Sequence, residues 1–294
     1  MVLCMEQCDT PESVNIHLTE RCNYRCGFCF SSGRKDCPES PVGTWKRIIE
    51  DLVLERGITK VNFAGGEPLM YPGLLELVRF THEIGCTTSI VTNGSLMDGT
   101  AILRLAPCLD WAGLSVDSVS EETERTLGRS CGRCEHLSNI VMVADLLKER
   151  GVKVKLNVTV TRQSLDDDFH DLVHRIGPQR VKFLQVSRVE GNNGLLFDRY
   201  AITDEQFAGF RERHSDIVLA NGLAPVFEES GVVADSYFMM GPSAKVRMNT
   251  PEGYRFVDYD DYWRIPSDQR INMDNYAARG AVYEWRGPRQ TIFL

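Results

Sequence analysis

Three cysteines, Cys22, Cys26 and Cys29, follow a short strand-like segment with the spacing C-x3-C-x2-C. Thiolates gathered on one loop are common ligands of iron–sulfur clusters, and three of them leave one iron of a [4Fe-4S] cluster open to a small molecule. Free thiols or half of a zinc site are the alternatives. Zinc requires a fourth Cys or His, typically in paired C-x2-4-C spacing. The asymmetric spacing, with Phe28 directly before the last cysteine, favours the cluster.

Two further motifs stand where predicted strands end. GGEP (65–68) ends the segment ITKVNFA, and TNGS (92–95) ends the next predicted strand. Glycines allow the backbone to approach a ligand closely, and a proline stiffens the exit from the turn. An ordinary strand-to-helix turn is the alternative. Both motifs stand at the C-terminal ends of predicted strands, where barrel enzymes carry their chemistry.

A third group of residues is cationic. Lys153, Lys155 and Asn157 alternate with apolar residues and therefore share one face of a strand, and Arg180 and Lys182 repeat the pattern on the next strand. If this face points inward, its cations require a negative partner, because unpaired buried charges are costly. Acidic side chains could neutralise them, or the face could be solvated. An organic phosphate held by charge-assisted hydrogen bonds is the functional alternative.

The composition excludes several classes of protein. The 294 residues carry a formal net charge of −8 and are 43% hydrophobic, which suits one large α/β domain and argues against a general nucleic-acid binder. Residues 1–12 show no signal sequence, and no apolar run approaches the roughly 20 residues that span a membrane. We expect a cytoplasmic protein that binds neither nucleic acid nor membranes.

The cysteines agree with a reducing compartment. All 10 lie in the first 134 residues, and the chain is too long for a small disulfide-linked secreted domain. Cys131 and Cys134 form a separate C-x2-C pair, which could be a redox pair or part of an auxiliary cluster. The lack of any later cysteine leaves too few ligands for that auxiliary cluster.

Strand-like and helical segments alternate along most of the chain. The predicted strands cover residues 13–18, 58–64, 87–91, 109–116, 152–160 and 180–186. The predicted helices cover residues 44–56, 73–84, 121–127, 135–150, 166–176 and 203–214, with Thr44 and Thr203 as N-caps. Six such units predict an α/β fold, an open (β/α)6 barrel whose chemistry lies at the C-terminal ends of the strands. We divide the chain into a tail (1–12), a barrel core (13–190) and an irregular C-terminal extension (191–294) that closes the barrel.

The chain resembles the viperin family of radical S-adenosylmethionine (SAM) enzymes. The shared strings are SVNIHLTERCNYRCGFCF, KVNFAGGEP, SIVTNGSLM, SVDS, LGR, KLN, RVKFLQV and DSY, in the family's order. The resemblance implies a monomeric enzyme with a [4Fe-4S] cluster, SAM and an external electron donor. Cleavage of SAM would give a 5′-deoxyadenosyl radical that abstracts the ribose C4′ hydrogen of a nucleoside triphosphate, CTP first and UTP next, with GTP used by some members. Loss of the 3′ hydroxyl as water would give a 3′-deoxy-3′,4′-didehydro nucleotide, an antiviral chain terminator.

The resemblance also implies roles for single residues. The cluster ligands would be Cys22, Cys26 and Cys29. SAM would be bordered by Phe28, Gly65, Gly66, Glu67, Thr92, Asn93, Ser115 and Arg129. The triphosphate would be held by Lys155, Asn157, Arg180 and Lys182, with Lys245 and Arg247 as further contacts in the loop that senses the base.

The chain departs from the family at identifiable positions. Ala64 precedes GGEP, where vertebrate members have a serine implicated in phosphate contact. Ser243 stands where the family often has a tyrosine proposed to relay a proton, so Tyr237 or Tyr254 could take that role. The loop around Lys245 diverges, and the tail RGAVYEW matches the family's ending only loosely. The triphosphate site is therefore better supported than the choice of base.

Other functions remain as alternatives at this stage. Molybdopterin-cofactor cyclases and peptide-maturing radical SAM enzymes need further C-terminal cysteines, which this chain lacks after residue 134. A radical SAM enzyme could also act on a different phosphorylated small molecule. An iron–sulfur nucleotide sensor would be a non-enzymatic alternative, and cleavage of SAM to 5′-deoxyadenosine would distinguish it from an enzyme.

Overall fold

The computed structural model describes residues 10–31, 37–132, 135–189, 193–233, 236–250, 253–281 and 283–285. Numbered in chain order, the strands are β1 Ser13–His17, β2 Lys60–Ala64, β3 Thr87–Thr92, β4 Trp111–Ser115, β5 Lys153–Val160, β6 Arg180–Gln185, β7 Val226–Glu228, β8 Met239–Met240, β9 Val246–Thr250 and β10 Gly253–Val257. The α-helices are α1 Val42–Leu54, α2 Leu74–Glu83, α3 Gly99–Leu105, α4 Glu121–Leu127, α5 His136–Glu149, α6 His170–Ile176, α7 Asp204–Arg213, α8 Ser230–Val233, α9 Tyr259–Tyr262 and α10 Met273–Ala278.

These strands form one sheet in the order β10-β9-β8-β1-β2-β3-β4-β5-β6-β7. Neighbouring strands from β1 to β7 pair in parallel, and at least one helix connects each successive pair. The predicted strand–helix alternation is therefore confirmed. β7 and β10 are the two edges of the sheet, so the fold is an open α/β barrel, as the sequence predicted.

Alternation along the strands separates the apolar core from the barrel interior. In β5, Val154, Leu156 and Val158 are completely buried, whereas Lys155 and Asn157 on the opposite face are only half-buried. Burial of one such aliphatic side chain contributes about 1.5–3 kcal/mol, so the apolar face fixes which way the strand faces. The polar face is thereby directed into the interior of the barrel.

The C-terminal extension is more regular than the sequence predicted. It adds β7 beside β6, and it adds β8 beside β1, followed by the antiparallel strands β9 and β10. β7 has only three residues and β8 only two, which is too short for an alternating pattern to indicate a strand. The extension therefore adds strands at both edges of the sheet and contributes side chains to the interior.

Helix boundaries follow the predictions with local differences. Thr203 and Gln206 form a capping box at the start of α7, as expected for an N-cap threonine. α1 begins directly after Pro41 instead of after Thr44, because the proline fixes the extended backbone there. α3 was not predicted; the side chain of Asp98 caps its first turn. In the part of the chain that the structure describes, no helix is both long and apolar enough to cross a membrane.

Candidate active site

The cysteine loop, residues 18–29, follows β1 and packs against the turn that ends α4. The backbone N–H groups of Arg25 and Gly27 donate to the carbonyls of Gly128 and Leu127, at 3.1 and 3.2 Å. Gly128 has a φ of +91°, and a Cβ at this position would press on the carbonyl group of Arg25. Only glycine meets both conditions without strain. The LGR turn (127–129) therefore holds the cysteine loop in place through these backbone hydrogen bonds.

The three cysteine thiols fit an iron–sulfur cluster better than a single zinc ion. Their sulfur atoms do not all lie within 4.8 Å of one another, whereas ligands of one tetrahedral zinc, with Zn–S bonds of about 2.3 Å, stand roughly 4 Å apart. Burial raises the pKa of Cys26 to about 12 and also raises the pKa of Cys22. Such thiols become thiolates when cationic iron binds them. Cys22, Cys26 and Cys29 therefore suit a [4Fe-4S] cluster as its ligands.

The GGEP motif packs directly against the cysteine loop. The N–H of Gly66 donates to the carbonyl of Thr19 at 2.7 Å, and the N–H of Glu67 donates to the carbonyl of Arg21 at 2.8 Å. Gly65 has a φ of +152°, and a Cβ at either glycine would press on the backbone of residues 19–21. The sequence predicted that these glycines let the backbone approach a ligand. In the structure the close approach is to the cysteine loop.

Glu67 is fully buried and links β2 to β3. Its carboxylate accepts hydrogen bonds from the Thr92 hydroxyl at 2.8 Å, the Asn93 N–H at 2.9 Å and the Leu69 N–H at 3.2 Å. Burial raises the pKa of Glu67 to about 7, although these hydrogen bonds favour the charged form. The Asn93 side chain donates to the Asn23 side chain in the cysteine loop at 3.0 Å. Glu67, Thr92 and Asn93 thus form one hydrogen-bonded unit with that loop.

Ser115 lies at the end of β4, where a histidine that the sequence analysis missed links it to the cysteine loop. The Nε2–H of His136 donates to the Ser115 carbonyl at 2.9 Å, and the Tyr24 hydroxyl donates to His136 Nδ1 at 3.1 Å. Burial and the charge of Arg129 lower the pKa of His136 to about 3. The imidazole is therefore neutral and its tautomer is fixed by these two bonds. No sequence motif marks this histidine.

Arg129 lies beside the cysteine loop but has a protein partner. Its guanidinium pairs with Asp117 and stands 3.8 Å from Glu124, and it lies 5.9 Å from the centre of the Phe28 ring. Burial raises the pKa of Glu124 to about 8, whereas the acidic neighbours raise the pKa of Arg129 despite its burial. The structure brings Arg129 and Phe28 together next to Cys26, with Asp117 fixing the arginine.

Five cations lie close together on the interior side of the barrel. This cationic cluster consists of Lys60 on β2, Lys155 on β5, Arg180 and Lys182 on β6, and Arg279 after α10. In the sheet, Lys155 is the direct neighbour of Arg180. Burial and then the neighbouring positive charges lower the pKa of Lys155 well below its ordinary value and that of Lys60 to about 7. Lys60 and Arg279 add to the three cluster residues that the sequence identified.

Glu228 is the one acidic residue that forms an ion pair with this cluster among the described residues. Its carboxylate binds the ammonium group of Lys182, and both side chains are buried. It also accepts a hydrogen bond from the Tyr237 hydroxyl at 2.7 Å. Within the described ranges, the side-chain ammonium of Lys155 has no hydrogen bond or ion pair. One ion-paired carboxylate among five basic side chains leaves the cluster short of negative charge.

The end of the described chain covers one side of the cationic cluster. Arg180 donates to the carbonyl of Gly280, and its guanidinium lies 3.7 Å from the centre of the Tyr283 ring. The Tyr283 hydroxyl accepts a hydrogen bond from Lys60. The Trp111 indole N–H, at the start of β4, donates to the carbonyl of Trp285 at 3.1 Å. The described residues 279–281 and 283–285 therefore cover the cationic cluster at the N-terminal ends of the strands.

The remaining candidate site residues of the C-terminal extension do not lie together. Tyr237 joins the cationic cluster, with the Arg279 guanidinium 3.6 Å from its ring centre. Ser243 is half-buried in the turn between β8 and β9. Lys245 forms a surface ion pair with Asp258 at 3.1 Å, with 42% of its side chain exposed, so the structure does not bring it into the cluster. Arg247 lines a different feature, described next.

A small cleft lies between the end of β1 and the hairpin of β9 and β10. Arg247 lines it together with His17 and Tyr254, and the guanidinium lies 3.9 Å from the centre of the Tyr254 ring. His17 directly precedes the cysteine loop, and burial, followed by the charge of Arg247, lowers its pKa to about 3. The cleft therefore adjoins the cysteine loop and is separate from the surface pair of Lys245.

The family model described as the radical SAM superfamily matches residues 16–176, more than half of the chain. The chain belongs to the radical SAM superfamily. A radical SAM enzyme uses a [4Fe-4S] cluster and SAM, so the cofactors predicted from the sequence are confirmed.

This radical SAM enzyme also has curated relatives that it resembles over nearly its full length. It is 38% identical over 273 residues to the S-adenosylmethionine-dependent nucleotide dehydratase of Thermoplasmatales archaeon (strain ISO4-H5), covering 93% of this chain and 96% of the relative. It is 34% identical over 274 residues to the S-adenosylmethionine-dependent nucleotide dehydratase RSAD2 of Oncorhynchus mykiss, covering 90% and 74%. The chain therefore belongs to this dehydratase family, and the family predicted from the sequence is confirmed.

Among solved structures, Streptococcus suis SuiB bound to S-adenosylmethionine is similar to this radical SAM enzyme with a TM-score of 0.68. The match covers 92% of this chain and 67% of that chain at 18% sequence identity. At this identity the likeness shows the shared fold. It supports the open α/β barrel independently of the sequence motifs.

Some candidate site residues of the radical SAM enzyme carried a sequence signal, and others did not. Lys60 alternates with Asn62 in KVNFA, so the rule that identified Lys155 would also have placed Lys60 on the inner face. Glu228 lies in a three-residue strand and gave no pattern. Cys131 is a half-buried free thiol, while Cys134 lies outside the described residues, so the proposed pair stays a prediction.

Proposed function

We propose that this radical SAM enzyme dehydrates a ribonucleoside triphosphate. The C4′ hydrogen and the 3′ hydroxyl of the ribose would be lost, the latter as water, to give a 3′-deoxy-3′,4′-didehydro nucleotide. The observation that carries the proposal is the cationic cluster. The ammonium of Lys155 has no hydrogen bond or ion pair among the described residues, and one carboxylate, Glu228, is ion-paired within the group of five basic side chains. The curated relatives named nucleotide dehydratases support the same reaction.

The cofactor end of the site would be built from the cysteine loop and its neighbours. Cys22, Cys26 and Cys29 would hold the cluster. The residues bordering SAM would be Phe28, Gly65, Gly66, Glu67, Thr92, Asn93, Ser115 and Arg129. When bound, the cluster and SAM supply the one-electron chemistry that activates a C–H bond. The protein's own part is a rigid frame, since Glu67 fixes the ends of β2 and β3 and the glycines fix the cysteine loop.

The phosphate end would be held by the cationic cluster. Lys155, Arg180 and Lys182, with Asn157 beside them, would bind a triphosphate through charge-assisted hydrogen bonds, each contributing about 1.5–3 kcal/mol. A triphosphate supplies the negative charge that this interior lacks. Lys60 and Arg279 would add to the positive electrostatic potential around the triphosphate. In this proposal Tyr237 is a positioning residue, because its hydroxyl is bound to Glu228 at the phosphate end.

The sheet register relates the two ends. Ser115, Asn157 and Lys182 lie side by side on three neighbouring strands. Lys155 and Arg180 form the next inward-facing row, about 7 Å away at two residues per row. The triphosphate would be shared by the two rows, with Lys155 and Arg180 in one and Asn157 and Lys182 in the other. Its ribose would then lie on the Ser115 side, near the SAM candidates.

The preferred base and the source of protons are further parts of the proposal. We expect CTP as the first substrate and UTP as the second, from the resemblance to the viperin family. Tyr254 lines the cleft beside the cysteine loop with Arg247, so it is better placed than Tyr237 to move a proton near the ribose. Ser243 lies in a turn and receives no role. An external donor would supply the electrons, and a product without a 3′ hydroxyl would terminate RNA chains in antiviral defence.

The proposal is tested by anaerobic turnover with separate nucleotides. The enzyme with a reconstituted cluster receives SAM, a reductant and either CTP, UTP, GTP or ATP. The expected result is a burst of 5′-deoxyadenosine with one nucleotide, together with a product lighter by one water. Equal slow formation of 5′-deoxyadenosine with all four nucleotides, and no lighter product, would show that the substrate is another molecule.

A further inference from the structure

A second group of ligand-type side chains lies outside the SAM and nucleotide site. Asp168 and His170 stand at the start of α6, and His214 follows the end of α7. One ligand atom from each of these three residues can be chosen so that all lie within 4.8 Å of one another. The imidazoles of His170 and His214 stack with ring centres 5.5 Å apart. A carboxylate and two imidazoles form a donor set that suits zinc and related divalent ions.

The outer nitrogen of each imidazole is already held by an acceptor. His214 donates its Nδ1–H to the carbonyl of Phe210 at 2.8 Å. His170 binds the carboxylate of Asp216 through Nε2 at 2.9 Å. Metal-ligating histidines almost always donate their second N–H to a carboxylate or a backbone carbonyl, which fixes the tautomer and orients the ring. Both histidines have this support, which leaves His170 Nδ1 and His214 Nε2 facing the group.

The two inward nitrogens have contacts that an ion would replace. His170 Nδ1 lies 2.5 Å from an Asp168 carboxylate oxygen. His214 Nε2 accepts a longer hydrogen bond, 3.2 Å, from the N–H of Phe169. Phe169 precedes the first residue of α6, so its N–H group takes no part in the hydrogen bonds within that helix. An entering ion would therefore take over lone pairs without leaving a helical hydrogen bond broken.

We propose that Asp168, His170 and His214 bind one divalent transition-metal ion, zinc in the first place. Asp168 would contribute a carboxylate oxygen, His170 would contribute Nδ1 and His214 would contribute Nε2. The side chain of Asp168 is 77% exposed, so a water molecule can complete a tetrahedral site from the solvent side. His214 is buried and anchors the ion to the protein.

The metal site would join the barrel core to the C-terminal extension. α6 connects β5 to β6, whereas α7 leads to β7, which carries Glu228. His214 packs against the rings of Phe183 on β6 and Phe210 on α7. An ion joining the start of α6 to the end of α7 would hold β7 against β6. Its role would be structural, and it does not depend on the nucleotide proposal.

The test uses the enzyme with its cluster in place, so that the cysteine ligands are occupied. Chelator-treated protein is dialysed against buffers of defined free zinc concentration, and bound zinc and Tm are measured in each. His170→Asn and Asp168→Asn remove one ligand each at exposed positions. His174→Asn, an exposed histidine on the same helix, is the matched control. The visible absorbance of the cluster is followed to show that zinc has not displaced iron.

The expected result is one zinc per chain in the wild type and in His174→Asn, with a rise in Tm of about 3–5 °C at a hundredfold excess over Kd. His170→Asn and Asp168→Asn should lose zinc affinity at least tenfold while keeping the metal-free Tm within about 2 °C. Asp216→Asn should lose about tenfold, as expected for a residue that orients a ligand. No bound zinc in the wild type, or equal affinity in His170→Asn, would overturn the proposal.

Discussion

Lys182 and Glu228 form a buried ion pair between β6 and β7, with 5% and 0% of the two side chains exposed. The pair joins the barrel core to the first strand of the C-terminal extension. It also supplies a negative charge to an interior that holds five cations. Removing one partner of a buried pair is costly because the other charge stays buried without compensation. Glu228 is therefore the protein's own counter-ion for the cationic cluster.

Glu228→Gln should lower the free energy of unfolding by on the order of 3 kcal/mol. The reason is that the ammonium of Lys182 and the hydroxyl of Tyr237 lose their charged acceptor. Denaturant unfolding measures the change. Glu229→Gln is the matched control, since that neighbour pairs with Arg211 at the surface and should cost less than about 1 kcal/mol.

The same variant has a second expected property. CTP should raise the Tm of Glu228→Gln by more than it raises the Tm of the wild type, because a bound triphosphate replaces the lost negative charge. An unchanged unfolding free energy in Glu228→Gln would contradict the role of this residue as counter-ion.

Lys155→Met should raise KM for the nucleotide about 10- to 100-fold, which corresponds to the loss of one charge-assisted hydrogen bond. Slow cleavage of SAM without nucleotide should persist, because the cysteine loop and GGEP are untouched. Steady-state kinetics measure both quantities. Lys46→Met is the control, since Lys46 forms a surface ion pair with Glu76. Unchanged KM in Lys155→Met would remove the triphosphate assignment.

Lys245→Met tests a residue that the resemblance placed at the phosphate. The ammonium of Lys245 pairs with Asp258 at the surface. We therefore expect KM to change by less than about threefold, as for other exposed ion pairs. A loss as large as that of Lys155→Met would mean that the loop around Lys245 reaches the nucleotide during binding.

Nucleotide binding should take up protons between pH 7 and pH 9. Burial and nearby cations lower the pKa of Lys60 to about 7 and that of Lys182 to about 8 in the free enzyme. A bound triphosphate raises these pKa values, because negative charge favours the protonated ammonium. Below these values Lys60 and Lys182 are already charged in the free enzyme, and binding takes up few protons at these two residues. Above them the affinity falls as pH rises, by up to about tenfold per pH unit for each proton taken up.

Calorimetry in two buffers of different ionisation enthalpy counts these protons. At pH 8 the wild type should take up a positive number of protons per CTP. Lys60→Arg keeps its charge at every pH in this range and should reduce that number. Proton release on binding, or an affinity that rises with pH, would contradict the account of the cationic cluster.

Gly128→Ala should lower the iron content per chain and the Tm. A Cβ at Gly128 would press on the carbonyl group of Arg25 in the cysteine loop. Gly132→Ala is a matched control: that glycine also has a positive φ, +72°, but among the described residues a Cβ there would meet no atom within 4 Å. Both variants carry the strain of a left-handed backbone. Equal iron content in the two variants would show that the contact with the cysteine loop is unimportant.

The sequence predicted the parts of the site that rest on motifs or long patterns. Eight residues of β5 alternate clearly, so the inward direction of Lys155 and Asn157 could be predicted. GGEP and the cysteine loop could also be placed at strand ends. Their mutual contact could not, because it depends on how the backbones of residues 19–21 and 65–67 meet in three dimensions.

The partners of the cationic cluster could not be predicted from the sequence, because they come from distant parts of the chain. Glu228 lies about 45 residues after Lys182 in a strand too short to recognise. Tyr283 and Gly280 reach Arg180 only because the end of the chain returns to the N-terminal side of the barrel. Such contacts follow from the folded topology and leave no local signal.

Transfer of the C4′ hydrogen tests the central proposal most directly. The enzyme with its cluster, SAM and a reductant is given CTP carrying deuterium at C4′, with CTP deuterated at C5′ as a control. We predict that 5′-deoxyadenosine gains deuterium only from the C4′-labelled nucleotide. The nucleotide product should lack both the C4′ deuterium and the 3′ hydroxyl. Deuterium-free 5′-deoxyadenosine, formed at an unchanged rate with the C4′-labelled CTP, would contradict the account.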